Sequence, residues 1–168
     1  EAPTSKSVRF KWREHVTKTV SENGEALEKF CNALKDGDSK VVEQSLNNYL
    51  KKTISIWDTF VKKQMKENFY HGILLGILGF QQNWSVSSNK ESGDGYSDIL
   101  IETEDQETGI IIEIKYAETG NLEAVSKDAL KQIEDRRYEE QLLEEGVEHI
   151  LKYGIAFYKK KCKVIVVK

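Results

Sequence analysis

Gly109-Ile110-Ile111-Ile112-Glu113-Ile114-Lys115 is the stretch on which the reading of the fold turns. Its isoleucines are β-branched, and the polar run Glu104–Thr108 before it has the composition of a turn, so it reads as a strand. Side chains alternate faces along a strand: Ile110, Ile112 and Ile114 share one face, and Glu113 and Lys115 share the other. A carboxylate and an ammonium on so apolar a strand cost free energy unless they are paired or used. Two readings follow. One is a same-face salt bridge at a sheet edge, a common surface feature. The other is a chemical site.

Working outward, Asp98-Ile99-Leu100-Ile101 reads as a second strand, opened by the glycine-containing loop Glu91 to Gly95. A hairpin between the two strands brings Asp98 beside Glu113. Two carboxylates with a neighbouring carbonyl, that of Ile114, can hold Mg²⁺ in oxygen coordination. Such a cation polarises a phosphate and acidifies water, while Lys115 orients that water or offsets charge in the transition state. Spacing alone is weak support, because Asp38-Ser39-Lys40 also satisfies D-x-K in a helix-capping turn.

The rest of the chain supplies helices. Segments 24–35 and 39–52 carry apolar residues at helical spacing (Leu27, Phe30, Cys31, Leu34; Val42, Leu46, Tyr49, Leu50), joined by the turn Asp36-Gly37-Asp38. Asp38 or Ser39 suits the second helix's N-cap. A third helix is expected from about Trp57 to Leu78, then strand character near Trp84–Ser87. A helical stretch over 121–145 and strands at His149–Tyr158 and Val164–Val167 complete the chain. This is an α/β architecture with a mixed sheet, because hairpin-like links argue against purely parallel pairing.

Composition narrows the class. Of 168 residues, 39% are apolar and 32% charged, with one proline and eleven glycines, which excludes collagen-like and low-complexity chains. Two cysteines, Cys31 and Cys162, make no disulfide framework and no C-x-x-C zinc pair. The apolar heart of the third helix, Ile73 to Phe80, is far short of the about 20 residues a membrane span needs. No apolar leader stands at the N-terminus, so a cytoplasmic setting without membrane is expected. A chain opening on Glu1 reads as an excised piece of a longer protein. Residues 1–66 carry 13 Lys/Arg against 9 Asp/Glu, and residues 67–168 carry 12 against 19, ending in Lys159, Lys160, Lys161, Lys163 and Lys168. That is not the footprint of a protein held on nucleic acid by net charge alone.

The layout of these residues resembles the PD-(D/E)XK nuclease superfamily. Asp98 matches its aspartate and Glu113-Ile114-Lys115 its E-x-K. Gln132-Ile133-Glu134-Asp135-Arg136-Arg137-Tyr138 is similar to the Q-x-x-x-R-x-Y helix of RecB-like members, and Glu67 falls where a first-helix glutamate often stands. Phe69-Tyr70-His71-Gly72, Ser88-Asn89-Lys90-Glu91-Ser92-Gly93 and Ala129-Leu130-Lys131-Gln132-Ile133 resemble a bacterial branch in which such a domain follows an AAA-type ATPase-like domain. The chain departs from that branch at Gly95-Tyr96-Ser97-Asp98, where the branch tends to have Gly-Arg-Tyr-Asp and an arginine is missing, and from the superfamily's motif at position 97, which is Ser and not Pro.

The resemblance implies a restriction-endonuclease-like core over 57–168, with 1–56 as a helical linker or arm through which a homodimer could form. It implies a metal-dependent nuclease acting on nucleic acid, DNA above RNA, with Mg²⁺ or Mn²⁺ on Asp98, Glu113 and the Ile114 carbonyl. Lys115, Gln132 and Glu67 would complete the catalytic set, and Arg136 and Tyr138 would touch nucleic acid. An inactive module of the same fold, binding nucleic acid or docking on an ATPase domain, stays open. Among other residues, His71, Phe69, Tyr70 and the tryptophans Trp12, Trp57 and Trp84 suit a core better than a site. Glu91 could add a third carboxylate.

Overall fold

The computed structural model describes residues 24–53, 63–90, 96–136 and 138–168. In chain order these form α1 (Gly24–Asp36), α2 (Ser39–Thr53), α3 (Lys63–Leu78), β1 (Ser85–Lys90), β2 (Tyr96–Glu102) and β3 (Thr108–Tyr116). Then come α4 (Leu122–Arg136), α5 (Tyr138–Glu144), β4 (His149–Tyr158) and β5 (Lys161–Val167). The strands make one five-stranded sheet in sequential order. Only β3 and β4 run parallel; the other three pairings are antiparallel. The fold is α/β with a mixed sheet flanked by helices, as expected.

Alternation along β3 sorts the sheet's two faces. Ile110, Ile112, Ile114 and Tyr116 enter the larger core with Leu34, Leu46, Leu50, Leu74 and Leu78 from α1, α2 and α3. Ile111 turns the other way, into a smaller cluster with Leu100, Ile133, Leu142 and Val147 under α4 and α5. Glu113 and Lys115 share the parity of Ile111, so they lie on the α4 side.

Close approach of α4 to the sheet is possible because β4 carries Gly154. A Cβ there would sit 2.3 Å from the Ser126 carbonyl oxygen and 3.0 Å from the Leu130 amide nitrogen. The stretch read as one helix over 121–145 instead contains α4 and α5, on either side of position 137, which lies outside the described residues. Strand β5 begins at Lys161, three residues before Val164. The start of the third helix at Trp57 also lies outside the described residues, as do Trp12 and Glu91.

Helices α1 and α2 are joined through Gly37 at φ 74°, with the Asp38 N–H bonded to the Ala33 carbonyl at 2.9 Å. Asp38 is the N-cap of α2, its Oδ1 accepting the Val41 N–H at 3.1 Å. The α1 end is tied down twice. The Tyr153 hydroxyl donates to the Leu34 carbonyl at 2.7 Å, and Lys35 bridges Glu104 and Asp105 in the β2–β3 turn at 2.8 Å each. The Lys35 ammonium holds the Asp105 carboxyl well below the usual carboxylate range.

Helix α2 lies along β5, the edge of the sheet, and satisfies outward backbone groups there. The Asn47 side chain brackets Cys162, accepting its N–H at 2.8 Å and donating to its carbonyl at 3.2 Å. Glu43 accepts the Val164 N–H at 2.9 Å. An uncovered edge is a template for pairing with another chain, and these bonds blunt it. Asn47→Ala is expected to cost about 1–2 kcal/mol. That is a fall of roughly 2–8 °C in Tm for a domain of this size. A melting curve matching wild type would show that the edge needs no such cover. Burial pushes the thiol of Cys31 up to about 11 and that of Cys162 higher still; for Cys162 this outweighs the neighbouring Lys163.

Candidate active site

Pairing between β2 and β3 runs from Glu102 opposite Gly109 to Asp98 opposite Glu113 and stops there. Directly opposite residues in an antiparallel pair have Cα atoms roughly 4.5–5.5 Å apart. The backbones of positions 98 and 113 are therefore neighbours at the point where the two strands part. The Asp98 side chain lies outside what the structure describes, as do the side chains of Arg136 and Tyr138.

Beyond that fork β3 continues beside β4, its one strand partner there among the described residues, Lys115 facing Ala156 and Tyr116 facing Phe157. The Ala117 N–H bonds to the Phe157 carbonyl at 2.8 Å, so the odd-numbered residues direct their backbone groups toward β4. Ile114 and Tyr116, of the opposite parity, direct theirs to the side β2 has left. There Glu67 of α3 accepts the Tyr116 N–H through Oε1 at 3.0 Å. The Ile114 carbonyl points to the same side. One helix from the opposite face thus pins the end of the strand that carries Glu113 and Lys115.

Glu113 is 1% exposed. Its Oε1 stands 3.9 Å from the Lys115 Nζ, and its Oε2 has no hydrogen-bond partner among the described residues. A salt bridge at 3.9 Å, beyond hydrogen-bonding reach, does not offset the cost of burying a carboxylate with one oxygen unpaired. Lys115, half-buried, donates to Oε1 of Gln132. Gln132 reaches it from α4, whose N-terminus is capped by Asn121 at 3.2 Å from the Ala124 N–H.

The residues singled out in the sequence thus divide. Glu113, Lys115 and Gln132 meet side chain to side chain, and Glu67 meets them through the β3 backbone. Asp98 meets them by strand register, and the side chains of Arg136 and Tyr138 lie outside the described residues. Among the described residues, no three His, Cys, Asp or Glu side chains form a metal-holding group. A carboxylate oxygen without a partner, as Glu113 Oε2 is among the described residues, is a donor that suits a hard cation, as is a backbone carbonyl such as that of Ile114. His71 is a core residue, 3% exposed, with Nε2 3.2 Å from the Ser88 hydroxyl.

Two contributions escaped the sequence reading. Gly154 sets how close Gln132 comes to Lys115, and a glycine inside a strand pattern was the available sign of close approach. Tyr70, read as core, is 0% exposed yet donates its hydroxyl to the Lys159 carbonyl at 2.6 Å. Sequence carried no signal for that bond between residues 89 apart.

A family model described as PD-(D/E)XK nuclease superfamily matches residues 65–167. No curated protein matches the chain.

Proposed function

The chain belongs to the PD-(D/E)XK nuclease superfamily, and from that premise we propose that it hydrolyses phosphodiester bonds of nucleic acid, DNA above RNA, with Mg²⁺ or Mn²⁺. The observation that carries the proposal is the buried Glu113 with its orphaned oxygen, two residues from a lysine held by Gln132. Asp98, Glu113 and the Ile114 carbonyl would hold the cation. When bound, it supplies positive charge against the phosphate and acidifies water.

Lys115 orients the attacking water and offsets negative charge that develops on the phosphate, an arrangement worth most where bulk water is excluded. Gln132 is a positioning residue, keeping the ammonium at the fork. Glu67 is another, fixing the end of β3 through the Tyr116 N–H. Arg136 and Tyr138 would touch the nucleic acid. We read 57–168 as the catalytic unit, with 1–56 attached to it. The RecB-like pattern at 132–138, and a place in a longer bacterial, cytoplasmic chain with an ATPase-like domain, belong to the same proposal and rest on sequence resemblance.

The test is incubation with plasmid, single-stranded DNA and RNA in the presence of Mg²⁺ or Mn²⁺. Wild type should cut, and EDTA should stop it. Lys115→Ala should slow cleavage by at least about 100-fold. Cleavage unchanged in the variant removes Lys115 from the mechanism. A chain that binds neither cation and leaves every substrate intact is instead a nuclease fold used for binding.

A further inference from the structure

Five basic residues that the proposed chemistry does not use converge on one corner of the sheet. Strand β4 ends at Tyr158, two residues past Ala156, the register partner of Lys115. The two-residue turn Lys159-Lys160 then leads into Lys161. The turn therefore lies roughly 10 Å along the strand direction from the row of Lys115. Phosphates of one duplex strand advance about 3.4 Å each along the axis, so this is a reach of a few nucleotides.

The corner is built, not merely charged. Tyr70 of α3 stacks on Phe157 at 4.3 Å and bonds the Lys159 carbonyl at 2.6 Å, one helical turn after Glu67 pins Tyr116. The Lys66 Nζ sits 4.5 Å from the Tyr116 ring centre and the Lys159 Nζ 5.1 Å from that of Tyr158, with the two rings 6.0 Å apart. Cations rested on aromatic faces are pre-positioned, which reduces the ordering that binding requires. Lys159 itself takes φ 52°, a conformation that favours glycine. Non-glycine residues held there cluster at functional sites.

Helix α2 adds a further charge. Glu43 meets Val164 and Asn47 meets Cys162, so each turn of α2 moves two residues along β5 toward the tip. The same spacing carried one turn further brings Lys51, which is exposed, toward the level of Lys160. Three separate segments thus place lysines at one corner, Lys51 and Lys66 joining the β4–β5 turn of a region, residues 67–168, whose acidic residues outnumber basic ones 19 to 12.

We propose that Lys51, Lys66, Lys159, Lys160 and Lys161 form a binding surface for the phosphodiester backbone of nucleic acid flanking the bond to be cut. The inference rests on the nuclease reading above, and binding is measured apart from cleavage so that the two can fail separately. A fluorescent oligonucleotide, as single strand and as duplex, is titrated in EDTA by anisotropy across a range of salt. The variant is Lys159→Gly with Lys160→Ala; glycine suits the φ at 159, so folding is kept, and a melting curve checks it. The control is Lys29→Ala with Lys40→Ala, near the α1–α2 turn, where Gly37 packs on Lys168 and Leu151 at the other end of the sheet.

Affinity of the tip variant should fall at least about tenfold, with the slope of log K on log salt reduced by about 1.4–1.8 for two lost phosphate contacts. The control should bind as wild type. Tip-variant affinity within about twofold of wild type, an equal loss in the control, or no binding by wild type each overturns the proposal. Lys115→Ala that still cuts overturns the mechanism of the previous subsection and leaves this surface standing.

Discussion

Glu113→Gln is expected to abolish cleavage and to erase the rise in melting temperature that Mn²⁺ gives the wild type, without lowering the Tm of the metal-free protein. The carboxylate is 1% exposed, and its Oε2 lacks a hydrogen-bond partner among the described residues. Its ion-pair partner among the described residues, Lys115, is 3.9 Å away and donates a hydrogen bond to Gln132. A buried charge in that state costs stability in the absence of a cation, so neutralising it at constant volume removes a penalty. A salt bridge serving the fold predicts the reverse: a lower Tm in EDTA, with any activity intact.

The wild-type shift has a calculable size. A cation at ten times its Kd stabilises by about 1.4 kcal/mol. For a chain of this length that is roughly 3–6 °C. Loss of the cation's charge at the reacting phosphate corresponds to at least about 10²–10³ in rate. Thermal melts with EDTA and with Mn²⁺, beside a cleavage assay, read all three quantities. A variant that melts lower in EDTA and cuts at the wild-type rate defeats the catalytic assignment of Glu113.

What could be read from sequence followed from local periodicity. Ile110, Ile111 and Ile112 follow one another in β3 because the strand is buried on both faces, and that burial makes Glu113 and Lys115 conspicuous. The helices of 24–53 were legible for the same reason, since Leu34, Leu46 and Leu50 recur at helical spacing and all reach the core. Features that depend on distant partners were not legible. The bracket of Asn47 on Cys162 spans 115 residues, and nothing near either residue announces it. The stretch 121–145 misled because its charged face is as continuous as that of one helix, while its apolar residues Ile133 and Leu142 meet the same small cluster from α4 and α5. At the candidate site, residue types were readable but the fork was not. Where β2 leaves β3 depends on which backbone groups Glu67 and β4 capture, which is a matter of tertiary geometry.

Gly154→Ala is expected to damage stability and chemistry together, and the coupling between the two is the informative part. The added methyl meets backbone atoms, the Ser126 oxygen at 2.3 Å and the Leu130 nitrogen at 3.0 Å, so no rotamer change relieves it. Helix α4 must move outward by about 1 Å to reach ordinary contact, at a cost of about 3 kcal/mol. The corresponding fall in Tm is roughly 6–12 °C. The same helix carries Gln132, which holds Lys115, so the displacement passes directly to the ammonium at the fork. A misplacement of about 1 Å can cost 100-fold in rate. Gly109→Ala separates general destabilisation from this route. Its Cβ would press on side-chain atoms only, Val147 Cγ1 at 3.0 Å and Leu142 Cδ1 at 3.1 Å, at the opposite end of β3. That variant should lose less stability and keep its cleavage rate well below its melting temperature. If Gly154→Ala, assayed equally far below its own melting point, cuts as fast as Gly109→Ala, then the seating of α4 on β4 does not govern the position of Lys115.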